Sequence, residues 1–430
     1  MYKHILTAAS AILALSLGLR AQIRYNPLSS EGLLVGGYGE TALTRNFYSD
    51  NVYRYSSAAS HSGEQHGRFD IPHAVIYVGY NFGKGWTMQT EIEFEHTGTG
   101  ASVEKEFEEA GEWETEVEKG GEVELEQFWI QKSFCDAFNV RMGHIVVPVG
   151  GLNYSHEPLN FFTVYRPEGE YTILPSTWHD TGISVWGDTP HWRYEVQVIA
   201  GLDAYMFNTE NFVKNGAGSP FEFKPANQLG LVARIDNFSF RNLRMSLSGF
   251  YGRAFNNTYP YEIIPESSRY YGVLGRTAIG AFDFVYRGSR FIARGNFDYG
   301  YVGDAYTISN MKRNRSANNA PYKKSAVGEG AMAAGVEAGY DILPTMMSRP
   351  VDDKLYVFGR YEYYNSYIPA AGEEPAPWTA KHRIAVGVNY YPVPQIAVKA
   401  EYSHRFLSEG YNPEPSVSVG VCYLAYFNKH

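Results

Sequence analysis

Few side chains in this 430-residue sequence stand at the spacings that chemistry requires. His179 is followed directly by Asp180, the residue types of a general base and the acid that orients it, as in proteases embedded in a barrel wall. The pair fails on geometry, because it opens an expected strand, where adjacent side chains point to opposite faces. No nucleophile motif accompanies it. His144, His156 and His191 lack the tight clustering of a structural zinc site. No catalytic residue, no metal-ligand set and no cofactor is therefore expected, and an enzyme is not.

What recurs instead is charge at every second position. The stretch Trp86–Glu95, WTMQTEIEFE, sets Trp86, Met88, Thr90, Ile92 and Phe94 against Thr87, Gln89, Glu91, Glu93 and Glu95. A period of two belongs to a strand with two unlike faces. The same alternation returns in HWRYEVQVIAG near residue 192 and in QIAVKAEYSHRF from Gln395. On the polar phase of these runs lie Arg141, Arg193, Arg234, Arg244, Arg294, Arg360, Lys381, Arg383, Lys399 and Arg405. Interleaved with them are Glu91, Glu93, Glu195, Asp236, Asp298, Glu362 and Glu401. If the apolar phase faces lipid, these charges line an aqueous lumen, where mixed walls orient passing solutes by transverse fields.

Elements of the right length and number are present to position them. Runs of about ten residues, the span of a tilted membrane strand, begin near Leu33, Arg68, Trp86, Glu122, Asn139, Asp180, Trp192 and Gln228. Eight more begin near Leu243, Tyr271, Phe291, Glu329, Leu355, Lys381, Gln395 and Ser416, which makes about sixteen. In EVELEQFWIQKSF the phase set by Val123 and Leu125 fails at Phe128 and Ile130, so either a bulge near Gln127 or a partly apolar inward face is expected. Short turns such as 81–85, 135–137, 188–190, 287–289 and 392–394 alternate with long loops at 42–67, 97–121, 148–178, 203–226, 254–269, 303–327, 365–379 and 407–414. That alternation along one antiparallel meander is the pattern of a membrane barrel, in which every backbone group pairs with a neighbouring strand. The expected fold is all-β: a transmembrane antiparallel β-barrel of about sixteen strands.

The rest of the composition agrees. Tyr numbers 35 and Phe 25, a supply suited to strand faces and aromatic girdles. The N-terminus has a basic start at Lys3, an apolar run from Ile5 to Leu19, too short to span a membrane as a helix, and a small residue at Ala21. Residues 1–21 are expected to be a signal peptide cleaved near Ala21, and 22–430 the barrel, in the outer membrane of a Gram-negative-type envelope. Two cysteines, Cys135 and Cys422, are too few for a disulfide framework. The net charge of -9 sits largely in 97–121, which holds eight Glu and two Lys. This run reads as an extended, solvated loop, and the acidic balance excludes a nucleic-acid surface.

One long connection is unlike the others. Residues 148–178 carry Leu152, Tyr154, Leu159, Phe161, Phe162, Tyr165, Tyr171, Ile173 and Leu174, which a solvated loop would not. Inward folding between the fifth and sixth strands would pack them against a wall. The segment RMGHIVVPVGGLNYSHEPLNFFTVYRPEGEYTILPSTWHDTGISVWG, Arg141 to Gly187, resembles the corresponding region of the phosphate-selective porin O and P family. The resemblance implies a sixteen-stranded porin with an inward loop, an outer-membrane lipid surround, often a homotrimer, and passive diffusion of small hydrophilic or anionic solutes, phosphate among them. It places Tyr154, Glu157, Tyr165, Arg166 and Glu168 in the constriction loop. The family's phosphate selectors use an arginine ladder and a lysine-rich constriction, whereas this loop offers Arg166 as its one cation, beside Glu157, Glu168 and Glu170. From the inward phase alone, the arc Arg360, Lys381, Arg383, Lys399 and Arg405 outweighs Glu362 and Glu401, and a mild anion preference is expected. A rival function is a barrel-anchored surface interaction protein using the acidic loop 97–121.

Overall fold

The computed structural model describes residues 32–50, 55, 65–96, 101–107, 113–119, 122–219, 223–259, 261–314, 324–346 and 352–427. The expected signal peptide lies outside these residues. The strands are β1 (Gly32–Asn46), β2 (His66–Asp70), β3 (His73–Gly83), β4 (Trp86–Glu95), β5 (Ala101–Phe107), β6 (Trp113–Lys119), β7 (Glu122–Cys135), β8 (Phe138–Val146), β9 (His179–Asp188) and β10 (Trp192–Ala200). They continue as β11 (Leu229–Asn237), β12 (Leu243–Arg253), β13 (Arg276–Arg287), β14 (Phe291–Val302), β15 (Gly330–Asp341), β16 (Lys354–Ile368), β17 (Ala380–Val393), β18 (Ile396–Phe406) and β19 (Glu414–Tyr426).

All but β5 and β6 belong to one antiparallel meander, which closes because β1 pairs with β19 from Gly36↔Tyr426 to Asn46↔Ser416. β2 and β3 are one barrel strand interrupted at Ile71-Pro72. Both pair with β1, and Pro72 brings no N–H to the ladder. Counted so, the barrel has sixteen strands and no free edge.

Side-chain direction follows the expected phase. Along β11, Leu229, Leu231 and Ile235 are exposed while Val232, Arg234 and Asp236 are buried. The bulge lies next to Gln127, where it was expected. Glu91 pairs with Gln127 and Ile92 with Leu125, so Glu126 is the extra residue. Glu126 and Gln127 are therefore both buried, and Val123, Leu125, Phe128 and Ile130 all remain on the outer face. The run expected to begin near Tyr271 starts as β13 at Arg276, because Gly272 and Gly275 take φ of 80° and 55° and turn the chain first.

Three loops depart from expectation. The acidic connection 97–121, expected as an extended loop, is extended but regular in its described part: a two-stranded hairpin, β5 on β6, in register from Ala101↔Lys119 to Phe107↔Trp113. The segments 201–219 and 303–314, expected as solvated loops, are packed. Leu202, Phe207 and Phe212 join Ile308 and Met311 of the helix Ala305–Asn314, and Ile173, Leu174 and Trp178 of the 148–178 loop, in one core at the long-loop end. Ile199, Val232, Phe250 and Ile279, inward residues of β10–β13, complete it. Lys312 is buried in this core with its ammonium donating to the Phe207 carbonyl, and burial pushes its pKa down to about 7. Cys135 is exposed and Cys422 buried, and neither is paired.

Candidate constriction site

The 148–178 loop folds into the barrel, and its backbone is held there by the charges on the wall. Lys399 on β18 donates to three loop carbonyls, Pro158 at 2.6 Å, Phe161 at 2.9 Å and Thr163 at 2.9 Å. Three wall carboxylates accept loop N–H groups: Glu337 from Phe162, Glu401 from Val164 and Glu362 from Gly169. Asn389 donates to the Phe162 carbonyl. A loop with little regular structure has many orphaned backbone groups, and here the lumen charges satisfy them. Phe162 fills the space above a glycine: a Cβ on Gly339 would come within 2.4 Å of its ring, which instead stacks on Phe358. At the loop entry Gly150 has φ 85° and lies against the Glu170 carboxylate, where a Cβ would sit 2.2 Å from an oxygen.

The five loop residues singled out from the sequence take different places. Tyr154 lies under Arg234 and Arg244, with guanidinium carbons 4.3 and 5.4 Å from its ring centre. Glu157 accepts from Asn160, and Tyr165 accepts from Thr44 and carries Arg68 over its ring. Arg166 turns toward β1 and β4, reaching Tyr38 and lying 4.0 Å from Glu93. Glu168, on the short helix Glu168–Ile173, is bound by Arg405 and Tyr364 and lies 3.3 Å from Arg383. Burial opposes its ionisation, yet Arg383 and Arg405 hold its carboxyl well below the ordinary range.

The seventeen wall residues read from the inward phase are all buried or half-buried, and the loop takes up part of them. Arg383, Lys399 and Arg405 are taken up by the loop and by Glu362, Glu401 and Glu168. Lys381 is tied to Glu414 and Tyr55. The broad cationic arc of β16–β18 is therefore largely a docking surface and not an open wall, which corrects the basis of the mild anion preference. Arg141 rests on Trp129 and Arg193 on Trp186 beside Asp188 and Glu195. Arg234 binds Asp236, Asp283 and the carbonyls of Pro148 and Gly150.

The gap that the loop leaves open lies against β12–β16. Its loop side carries Gly151, Ser155, Asn160 and Glu170, and its wall side Arg244, Arg287, Arg294 and Arg360 with Asp283 and Asn296. Arg244 meets Asp283 at 2.5 Å, Arg294 meets Glu337 at 3.2 Å, and Arg360 meets Glu362 at 2.9 Å. The buried Nε groups of Arg244 and Arg360 have no acceptor. Arg287 binds Asn160. It escaped the sequence reading because it ends β13 beside a turn, though its cationic type at a strand end was a signal. Burial, and after it the charge of Asp283, pushes Glu170 up to about 7. Glu91 and Glu93 lie on the third barrel strand and Arg294 on the eleventh, on opposite walls of sixteen.

No family model matches the chain. An uncharacterized protein of Aquifex aeolicus is 26% identical over 380 residues, 86% of this chain and 75% of that protein. Among solved structures, an anion-selective porin from Comamonas acidovorans has a TM-score of 0.51 at 10% identity, covering 92% of this chain and 100% of its own. OmpF of Salmonella typhi, in complex with daunomycin, also reaches 0.51, at 9% identity over 91% and 97% of the two chains. The outer membrane channel DcaP of Acinetobacter baumannii reaches 0.50, at 11% identity over 91% and 97%. At such identities the likeness is one of fold, and the fold is that of the outer-membrane porins.

Proposed function

We propose that this chain is an outer-membrane diffusion channel for small hydrophilic solutes that favours anions. The observation carrying this reading is the gap between the loop and the wall: four guanidiniums face it, against Asp283 and the raised carboxyl of Glu170. The positive charge that these guanidiniums give this side of the gap favours a passing anion over a cation. The apolar outer face supports a barrel set in lipid, and in this reading the short turns lie on the periplasmic side and the long loops outside. The likeness of Arg141–Gly187 to phosphate-selective porins makes inorganic phosphate the first anion to try, and a homotrimer the assembly to expect.

The test is reversal potential under a salt gradient in planar bilayers. The native channel should pass chloride over potassium, and replacing both Arg244 and Arg294 by Gln should move the reversal potential toward cation preference. A native channel that excludes anions, or a double variant that leaves the potential unmoved, would refute the reading. The hairpin β5–β6 gives the rival function, a barrel-anchored surface interaction protein, a defined element. An anchor of that kind would show no steady conductance.

A further inference from the structure

Opposite the arginine wall, buried acids and histidines converge from four separate segments. Glu91 comes from the middle of β4, Glu126 from the bulge in β7, His156 from the loop and His179 from the first residue of β9. Glu91, Glu126 and His156 are 1%, 3% and 5% exposed, and the His179 side chain 6%. β8 ends at Val146 while β7 runs on past it, and the loop leaves the wall at that point. This is how residues so distant in sequence come to share one space.

Their polar atoms face each other without bonding. Glu91 accepts from Gln127 through Oε2, and its Oε1 has no hydrogen-bond partner. Glu126 accepts from Thr177 through Oε1 at 2.5 Å, and its Oε2 has none. Nε2 of His156 and Nε2 of His179 are also unpartnered. His156 Nδ1 lies 3.2 Å from the Asn153 carbonyl, a contact it can make only as the donor, so a neutral ring points the Nε2 lone pair at Glu91. That lone pair and the Glu91 oxygen stand 3.9 Å apart, and His179 Nδ1 stands 3.7 Å from Glu126 Oε1. Hydrogen-bonded pairs would lie at about 2.6–3.2 Å. Donors sharing one tetrahedral ion at about 2.0–2.2 Å would lie about 3.3–3.6 Å apart, and ligand atoms of Glu91, Glu126 and His179 already fall within 4.8 Å of one another. The charge balance points the same way. Glu93 and Glu126 are buried near the Arg166 guanidinium and Glu93 also holds His73, while Glu91, buried beside them, has only the His156 ring facing its free oxygen, and buried carboxylates need a compensating cation.

We propose that Glu91, Glu126, His156 and His179 form a binding site for a divalent transition-metal ion, with zinc(II) the best match to two imidazoles and two carboxylates. The imidazoles disfavour calcium and magnesium, which take oxygen ligands. Bound there, the ion ties the constriction loop to β4 and β7, four and five strands round the barrel from the β18 strand of Lys399, so the loop is fastened at a second stretch of wall.

The experiment uses untagged protein, folded in detergent, stripped with EDTA, reloaded with zinc and desalted before elemental analysis. The expected result is one zinc per chain, with affinity on the order of 100-fold weaker in the folded double variant His156→Ala with His179→Ala. Wild-type protein that retains no zinc overturns the proposal and leaves protons as the compensating charge. So does a folded double variant that still holds a full equivalent at wild-type affinity. If the double variant does not fold, zinc-edge absorption spectroscopy on the wild type decides: two imidazoles with oxygen ligands sustain the site, and one imidazole or none overturns it.

Discussion

Replacing Lys399 by Met keeps the length of the side chain and its packing near Phe161, but removes the ammonium that binds three loop carbonyls. A hydrogen bond from a charged donor contributes about 1.5–3 kcal/mol. Three that share one ammonium are not additive, and the buried carbonyls left behind cost further, so the docked loop should lose about 3–5 kcal/mol. At 1.4 kcal/mol per factor of ten, the undocked population should rise between about a hundredfold and several thousandfold. The anchors at Glu337, Glu401 and Glu168 remain, so the loop should leave and return and not swing free. Single-channel recording should show a noisier current with added openings to higher conductance, and hydrogen exchange at the amides of 158–164 should speed up by a similar factor. The barrel itself should stay folded. Native conductance together with native exchange at 158–164 would refute the claim that Lys399 holds the loop.

Two further outcomes follow from the same coordinates. Glu170 is charged above its raised pKa of about 7 and neutral below it, so lowering the pH from 8 to 6 removes a negative charge from the gap. Anion preference measured by reversal potential should therefore increase on acidification, and Glu170→Gln should abolish that pH dependence. On the outer face, Val386 lies near the middle of β17 and is 48% exposed. Val386→Arg should cost about 2–4 kcal/mol in urea titrations of the barrel refolded in lipid vesicles, and a neutral effect would mean that this face does not meet hydrocarbon.

The long-range architecture was legible in the sequence because it rests on short-range rules. Alternation with period two assigns each side chain to a face, and the alternation of short turns and long loops orders the strands, so the sixteen-strand barrel could be read off directly. The apolar content of 148–178 likewise marked it as buried. Phe207, Phe212, Ile308 and Met311 carried the same signal for two other loops, where it went unused. Tertiary structure alone decided how the inward charges are spent. Lys399 and Pro158 are 241 residues apart, and no local pattern says that this ammonium binds backbone while Arg244 and Arg294 face a gap. The same holds for Glu126, turned inward by one bulged residue, and for His156 and His179, which the sequence reading took separately. Strand phase fixes the direction of a side chain, but its partner is whatever the folded loop brings within hydrogen-bond reach, and in a closed barrel that loop can be brought against any of sixteen strands.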